Sequence, residues 1–197
     1  MNFPIFPLNG AILFPNTNLP LNIFEDLYID MVDYALSHKR LIGMIQTKKN
    51  KDFFNIGCLG KITNFTETSD RRYQINLEGI SRFKVKKILD NKHKFTIIEG
   101  EELNYNSNFR KQTSTLSDKL LSNFKNYLDI KKIEFNTSEF ETLDALSLAK
   151  IICIISPLDY LTKQMLLEFD GSDDLCENLI SVLEIEIKNF GKSSKIN

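Results

Sequence analysis

Along the first hundred residues apolar positions come in short runs or alternate with polar ones, and beyond Tyr105 they recur at spacings of three and four. Alternation sends successive side chains to opposite faces of a strand, whereas the wider spacing lines up one face of a helix, so the two halves predict strands and helices respectively. Ile5 to Phe6, Ala11 to Phe14 and Leu21 to Ile23 read as short extended pieces between Pro and Asn. Four of the five prolines (Pro4, Pro7, Pro15, Pro20) lie here, and six of the eight glycines lie at or before Gly100, the punctuation of strands joined by turns. One helix interrupts them: Phe24, Leu27, Tyr28, Met31, Val32, Ala35 and Leu36 form a single apolar stripe, closed by His38, Lys39 and Arg40 at the negative end of the helix dipole. Strands resume at Leu41 to Gln46 and Ile56 to Thr66. Turn formers from Thr66 to Arg71, followed by alternation at Tyr73, Ile75 and Leu77, predict a hairpin. After Gly79, Phe83 and Val85 point one way and Arg82, Lys84 and Lys86 the other, and a last strand, Lys94 to Ile98, ends at Gly100.

In the second half Ser114 or Thr115 opens a helix with Leu116, Leu120, Leu121, Phe124, Tyr127 and Leu128 in its stripe. Asp144 caps the next, which runs to Ile155 and is apolar on three sides, so it belongs at the centre. Pro157 forces a turn, Asp159 to Phe169 forms a short helix ended near Gly171, and Ser172 or Asp173 caps the last helix. The polar stretch Asn104 to Asn108 is the seam. The expected organisation is a β-rich subdomain over 1–105, a helical subdomain over 110–191 and a frayed tail over 192–197.

Composition narrows the class. With 197 residues, 42% hydrophobic, 26% charged and a net charge of −1, the chain is suited to a real core and is neither disordered nor fibrous. Three widely separated cysteines (Cys58, Cys153, Cys176) point to a reducing compartment. The longest apolar run, Ile151 to Ile155, is far short of a membrane span, and the start lacks the marks of a signal peptide, so a cytoplasmic protein without a membrane partner is expected. The length leaves no room for a fused ATPase and protease.

Catalytic templates find no match. A phosphate-binding loop ending at Gly60-Lys61 would need Gly at Asn55 and Ser or Thr at Ile62. The only histidines, His38 and His93, are far from any cysteine pair, which argues against zinc, and there is no Gly-x-Ser-x-Gly elbow. Glu101-Glu102 and Asp173-Asp174 stand beside element ends, where solvation or capping is the default. No enzymatic activity, metal or cofactor is expected. Two binding features remain. Arg82, Lys84 and Lys86 form a basic strand face able to contact phosphates, although residues 1–105 carry fourteen basic and twelve acidic residues, a net of only +2, which makes nucleic acid an unfavoured partner. Phe53-Phe54, after a polar run, forms a candidate aromatic contact for extended polypeptide.

Particular strings carry a resemblance. Phe6-Pro7-Leu8, Leu13-Phe14-Pro15, and Leu19-Pro20-Leu21-Asn22-Ile23-Phe24-Glu25 with Tyr28 resemble the opening of the Lon N-terminal domain, the substrate-binding region of the ATP-dependent protease La. Ile56-Gly57-Cys58-Leu59-Gly60-Lys61-Ile62 is similar to that family's V-G-x-x-A-x-I strand, and Glu78-Gly79-Ile80-Ser81-Arg82-Phe83 to its E-G-x-x-R strand. Lys163-Gln164-Met165-Leu166-Leu167-Glu168 resembles the K-Q-x-L-L-E segment of stand-alone bacterial LON-domain proteins, from which the chain departs at Asp26 (commonly Pro) and Gly60 (usually Ala). The resemblance implies an α+β fold: a PUA-like β-barrel subdomain with one helix, followed by an α-helical bundle. It also implies recognition of unfolded or degron-bearing client polypeptides in protein quality control, as an adaptor or chaperone-like binder beside a AAA+ protease. Capture would use exposed aromatics or a groove between the subdomains. RNA binding through the barrel's basic strand is the alternative. The matched positions, Glu25 among them, read as architecture: Pro15 and Pro20 fix turns, Gly57 and Gly79 allow close packing or a bulge, Phe24, Tyr28 and Phe83 fill the barrel, and Arg82 anchors to a carboxylate or carbonyl.

Overall fold

A computed structural model describes residues 1–50, 52–104 and 114–193. Its strands are β1 (Asn2–Pro7), β2 (Asn18–Ile23), β3 (Leu41–Ile45), β4 (Ile56–Glu67), β5 (Tyr73–Leu89) and β6 (Ile97–Leu103). Its helices are α1 (Asp26–Leu36), α2 (Ser114–Lys131), α3 (Ala145–Ile155), α4 (Tyr160–Glu168) and α5 (Ser172–Ser193), with a 3-10 turn at Ser138–Thr142. This is the expected α+β class. The described residues form two units, 1–104 with 159–167 and 114–158 with 168–193. The predicted seam from 105 onward and the tail from 194 onward lie outside the described residues.

In the first unit the long strand β5 has two sets of partners. Its first part, Tyr73–Glu78, pairs antiparallel with β2, and its second, Arg82–Leu89, pairs antiparallel with β6. β4 runs antiparallel to it along most of its length, β3 is antiparallel to β4, β1 parallel to β3, and β6 antiparallel to β1. Five strands thus close a ring, and β2 is left outside it as an edge strand. Register shifts at Leu59/Gly60 and Val85/Lys87 supply the bends that closure needs. Phe3, Ile5, Ile45, Leu59, Phe83 and Ile98 fill the ring, with the Phe3 and Phe83 rings edge-on at 5.0 Å. β6 runs past Gly100 because β5 continues to pair with it through Leu103, whereas β1 pairs with it only as far as Glu99.

Pro15 sits in a tight turn. Thr17 N–H donates to the Phe14 carbonyl at 3.2 Å and Asn16 has φ 62°, the arrangement of a type II turn with Pro at its second position. That turn grips Gly79: Asn16 N–H donates to the Gly79 carbonyl and Gly79 N–H to the Thr17 carbonyl, both at 2.8 Å. A Cβ on Gly79 would collide with the Phe14 carbonyl oxygen, and one on Gly57 with the Met44 carbonyl and the Phe83 ring. Pro20 departs from the turn role expected of it: it lies within β2 opposite Asn76, where an edge strand tolerates a residue without N–H.

The segment 159–167 differs from its place in a purely helical half. Asp159 accepts from the Leu161 and Thr162 N–H groups at 2.9 and 3.1 Å and starts α4. The helix then bonds to strands and loops: Gln164 donates to the Ile56 carbonyl at 2.9 Å, Gln46 donates to Gln164 Oε1 at 3.2 Å and to the Tyr160 carbonyl at 3.0 Å, and Lys163 donates to the Gly10 carbonyl at 3.3 Å. Arg82, with no exposed surface, donates from Nη1 to the Leu167 carbonyl at 3.2 Å, which places a cation on the free carbonyls at the end of that helix. These polar ties outweigh the helical spacing that groups 159–169 with its neighbours in sequence.

In the second unit α2 packs on α3 and α5 around Phe124, Tyr127, Leu148, Ile152, Leu179 and Leu183. Asp144 caps α3 by accepting from Ser147 N–H at 3.0 Å, and Lys131 of α2 pairs with Glu186 of α5 at 3.0 Å.

Candidate functional site

The ends of β1 and β2 do not pair with one another, and α1 begins just beyond β2. Between them lies a cleft of about 200 Å³. Its walls are Phe6, Pro7 and Leu8 from the end of β1, Leu21 to Ile23 from the end of β2, the connector Phe24-Glu25, and Tyr28 from the first turn of α1. The Phe6 and Tyr28 rings meet at 4.5 Å. Burial, and then the Glu25 carboxylate, raises the Tyr28 pKa above its usual value, so the phenol stays neutral in the cleft. Glu25 holds extended backbone before α1, and its side chain makes no capping bond, so the carboxylate is left facing solvent. Phe24 is 60% exposed, with the Arg72 guanidinium 6.0 Å from its ring centre. Arg72 is itself paired with Asp70 at 2.9 Å.

The outer side of α1 is acidic. Asp26, Asp30 and Asp33 follow at spacings of four and three and, with Glu67, Ile29, Arg71 and Tyr73, line a second hollow of about 450 Å³. Asp33 accepts the Tyr73 hydroxyl at 2.7 Å, and this bond, aided by burial, pushes the Tyr73 pKa up to about 12. Toward the end of α1 a wider hollow of about 850 Å³ contains both histidines of the chain around Tyr34, His38 stacked on it at 4.1 Å and His93 edge-on at 5.0 Å. His38 Nδ1 lies 2.7 Å from the Tyr34 carbonyl and so finishes the helix.

The residues singled out from sequence are distributed differently. Phe53 packs against the barrel core and Phe54 is half-buried beneath Lys48, 5.7 Å from its ring, so neither is an open aromatic. Phe53 forms an isolated backbone bridge with Thr47, and the Phe54 N–H donates to the Gln46 carbonyl at 3.0 Å. Arg82 cannot join Lys84 and Lys86 in a basic surface because it is buried, bonded to the end of α4. Lys84 and Lys86 are exposed, but β6 sets glutamates against them: Lys84 lies opposite Glu101, Lys87 opposite Glu99, and Lys86 bonds Glu101 at 2.6 Å. That bond holds the Glu101 carboxyl below its usual range. Phe83 fills the barrel, but Phe24 and Tyr28 do not: Phe24 stands one residue before the helix cap and turns outward, and Tyr28 is half-buried in the cleft wall. Phe65, 45% exposed beneath Arg40, has no counterpart in the sequence reading. The cleft residues all fall in the strings that carried the resemblance, where they read as architecture; the missing knowledge was which of them face solvent. Among the described residues no group of three or more His, Cys, Asp or Glu is placed to hold a metal ion, and no helix is long and apolar enough to cross a membrane.

The fold is that of solved Lon N-terminal domains. A Lon N-terminal domain protein from Xanthomonas campestris superposes with a TM-score of 0.69 at 19% identity over 92% of this chain and 98% of that one. The N-terminal domain of the Mycobacterium avium complex Lon protease gives 0.71 at 14% over 93% and 98%. In sequence, the Lon protease of Buchnera aphidicola subsp. Baizongia pistaciae is 27% identical over 95% of the chain, and that of Erwinia amylovora 25% identical over 95%. The family model for the ATP-dependent protease La (LON) substrate-binding domain matches residues 2–184, and the chain belongs to that family. It spans about a quarter of the length of these curated relatives, and the match falls on the substrate-binding domain alone.

Proposed function

We propose that this chain binds extended, unfolded or degron-bearing polypeptide through the cleft between β1, β2 and α1, without catalysis of its own. The observation that carries the reading is the exposed ring of Phe24 at the mouth of an apolar cleft, in a family of substrate-binding domains. A large aromatic left in water beside a hollow is the usual mark of an interaction surface. Strand β2 also has an edge unpaired among the described residues, beside the cleft, where an extended segment is able to lie with one side chain inserted. Lys84 to Lys87 support nucleic acid poorly, since the facing Glu99 and Glu101 offset most of their charge. In this reading the protein serves protein quality control in the cytoplasm, selecting clients for a AAA+ protease. The three buried thiols fit a reducing compartment.

Titration of a fluorescently labelled, reduced and alkylated polypeptide into the protein tests it by anisotropy. Saturable binding in the micromolar range is expected, weakened about tenfold or more by Phe24→Ser, as for loss of an aromatic anchor. Phe54→Ser leaves it unchanged. No saturation at tens of micromolar, or equal loss from both variants, refutes the site.

A further inference from the structure

The apolar cleft does not stand alone: carboxylates continue from its mouth along α1. Glu25 lines the cleft itself, and Asp26, Asp30, Asp33 and Glu67 line the adjoining hollow, against Arg71 as its one basic wall residue. All five carboxylates belong to exposed residues, and none takes part in an ion pair among the described residues. Arg72 does not neutralise them, being paired with Asp70. Resting on the polypeptide-binding reading, we infer that the segment taken here is apolar and cationic: one large apolar side chain seated in the cleft, with Lys or Arg close by in sequence on the acidic face of α1.

Size and spacing set the terms. A cleft of about 200 Å³ is smaller than the ~300–1,000 Å³ of small-molecule sites, so it suits a single side chain rather than a cofactor. From Glu25 to Asp33 the chain climbs about 12 Å at the ~1.5 Å rise of a helix, which an extended peptide covers in about four residues at ~3.3 Å each. The cationic residues therefore belong within about four positions of the apolar anchor. Exposed pairs of this kind contribute modestly each and are screened by salt, so they select among apolar segments instead of creating binding.

The test uses the full chain and three labelled twelve-residue peptides with one central Phe in a Gly/Ser background, carrying three Lys, three Ser or three Glu within four positions of it. Anisotropy at low and high salt reads each affinity. The basic peptide is expected to bind about tenfold tighter than the neutral one and to lose that advantage in salt, with the acidic peptide weakest. The double variant Asp26→Asn/Asp30→Asn, which leaves the Asp33–Tyr73 bond in place, cuts the advantage of the basic peptide over the neutral one without moving the neutral one. Phe24→Ser weakens all three. Equal binding of basic and neutral peptides, or an advantage that the double variant leaves undiminished, overturns the inference while the polypeptide-binding reading stands. Failure of all three peptides and of the unfolded polypeptide overturns both.

Discussion

Replacing Gly79 by Ala tests how the cleft is held in shape. The wall made by Leu21 to Ile23 belongs to β2, and β2 is delivered by the Phe14–Thr17 turn, which is fastened to Gly79 by two backbone hydrogen bonds of 2.8 Å. A methyl group at Gly79 would run into the Phe14 carbonyl, which is backbone and cannot swing aside as a side chain does. Relief requires the turn to lift, at an overpacking cost of about 1–3 kcal/mol, with weakening of two bonds that contribute about 1 kcal/mol each. A loss of about 3 kcal/mol is expected, equivalent to about 6–12 °C in Tm for a domain of this size. Gly10→Ala is the control, because Gly10 has φ +87° but nothing within 4 Å of the added methyl. Its cost is backbone strain alone, about 1–2 kcal/mol. Urea denaturation of both variants, with affinity for the labelled polypeptide measured below the transition, gives the comparison. Gly79→Ala should be the less stable of the two and the weaker binder. If it is no less stable than Gly10→Ala, close approach at Gly79 is not what secures the turn.

Phe53→Ser should destabilise by about 2 kcal/mol in a urea melt, since the ring packs on the barrel core, whereas Phe24→Ser should stay within about 0.5 kcal/mol because its ring is mostly in water. Asp159→Ala removes the acceptor for the first N–H groups of α4 and should cost about 1 kcal/mol at pH 7. The bond from the Thr162 hydroxyl, with backbone donors, outweighs burial and holds the Asp159 carboxyl below its usual range. Its contribution is therefore complete above the ordinary aspartate pKa and is lost as pH falls through the lower folded value, so melts of wild type and variant should converge in acid. Tyr73 keeps its proton to about pH 12 in the folded state, so stability should fall as pH rises past about 10, where the unfolded phenol ionises. Tyr73→Phe should remove one late-titrating phenol from the absorbance at 295 nm and cost about 1–2 kcal/mol at neutral pH.

Local patterning made much of the fold legible. The alternation at Tyr73, Ile75 and Leu77, the stripe of α1 and the cap Asp144 each depend on residues a few positions apart, and the structure has the corresponding strand, helix and capping bond. The order of the short strings is enough to point to the family, whose model matches residues 2–184. Contacts distant in sequence were hidden. Arg82 reads as a member of a basic strand face by alternation, yet the end of α4, eighty-five residues away, takes its guanidinium inside. The helix 159–167 has the spacing of its sequence neighbours, but Gln46, Ile56 and Gly10 bind it to the strands. Phe24 and Phe53 illustrate the same limit. Both are large aromatics beside polar residues, and only the closure of the five-stranded ring decides that Phe53 is drawn against the core while Phe24, just outside the helix, is left at the mouth of the cleft. Hydrophobic pattern specifies that a side chain prefers burial; the positions of remote strands determine whether there is a core within its reach.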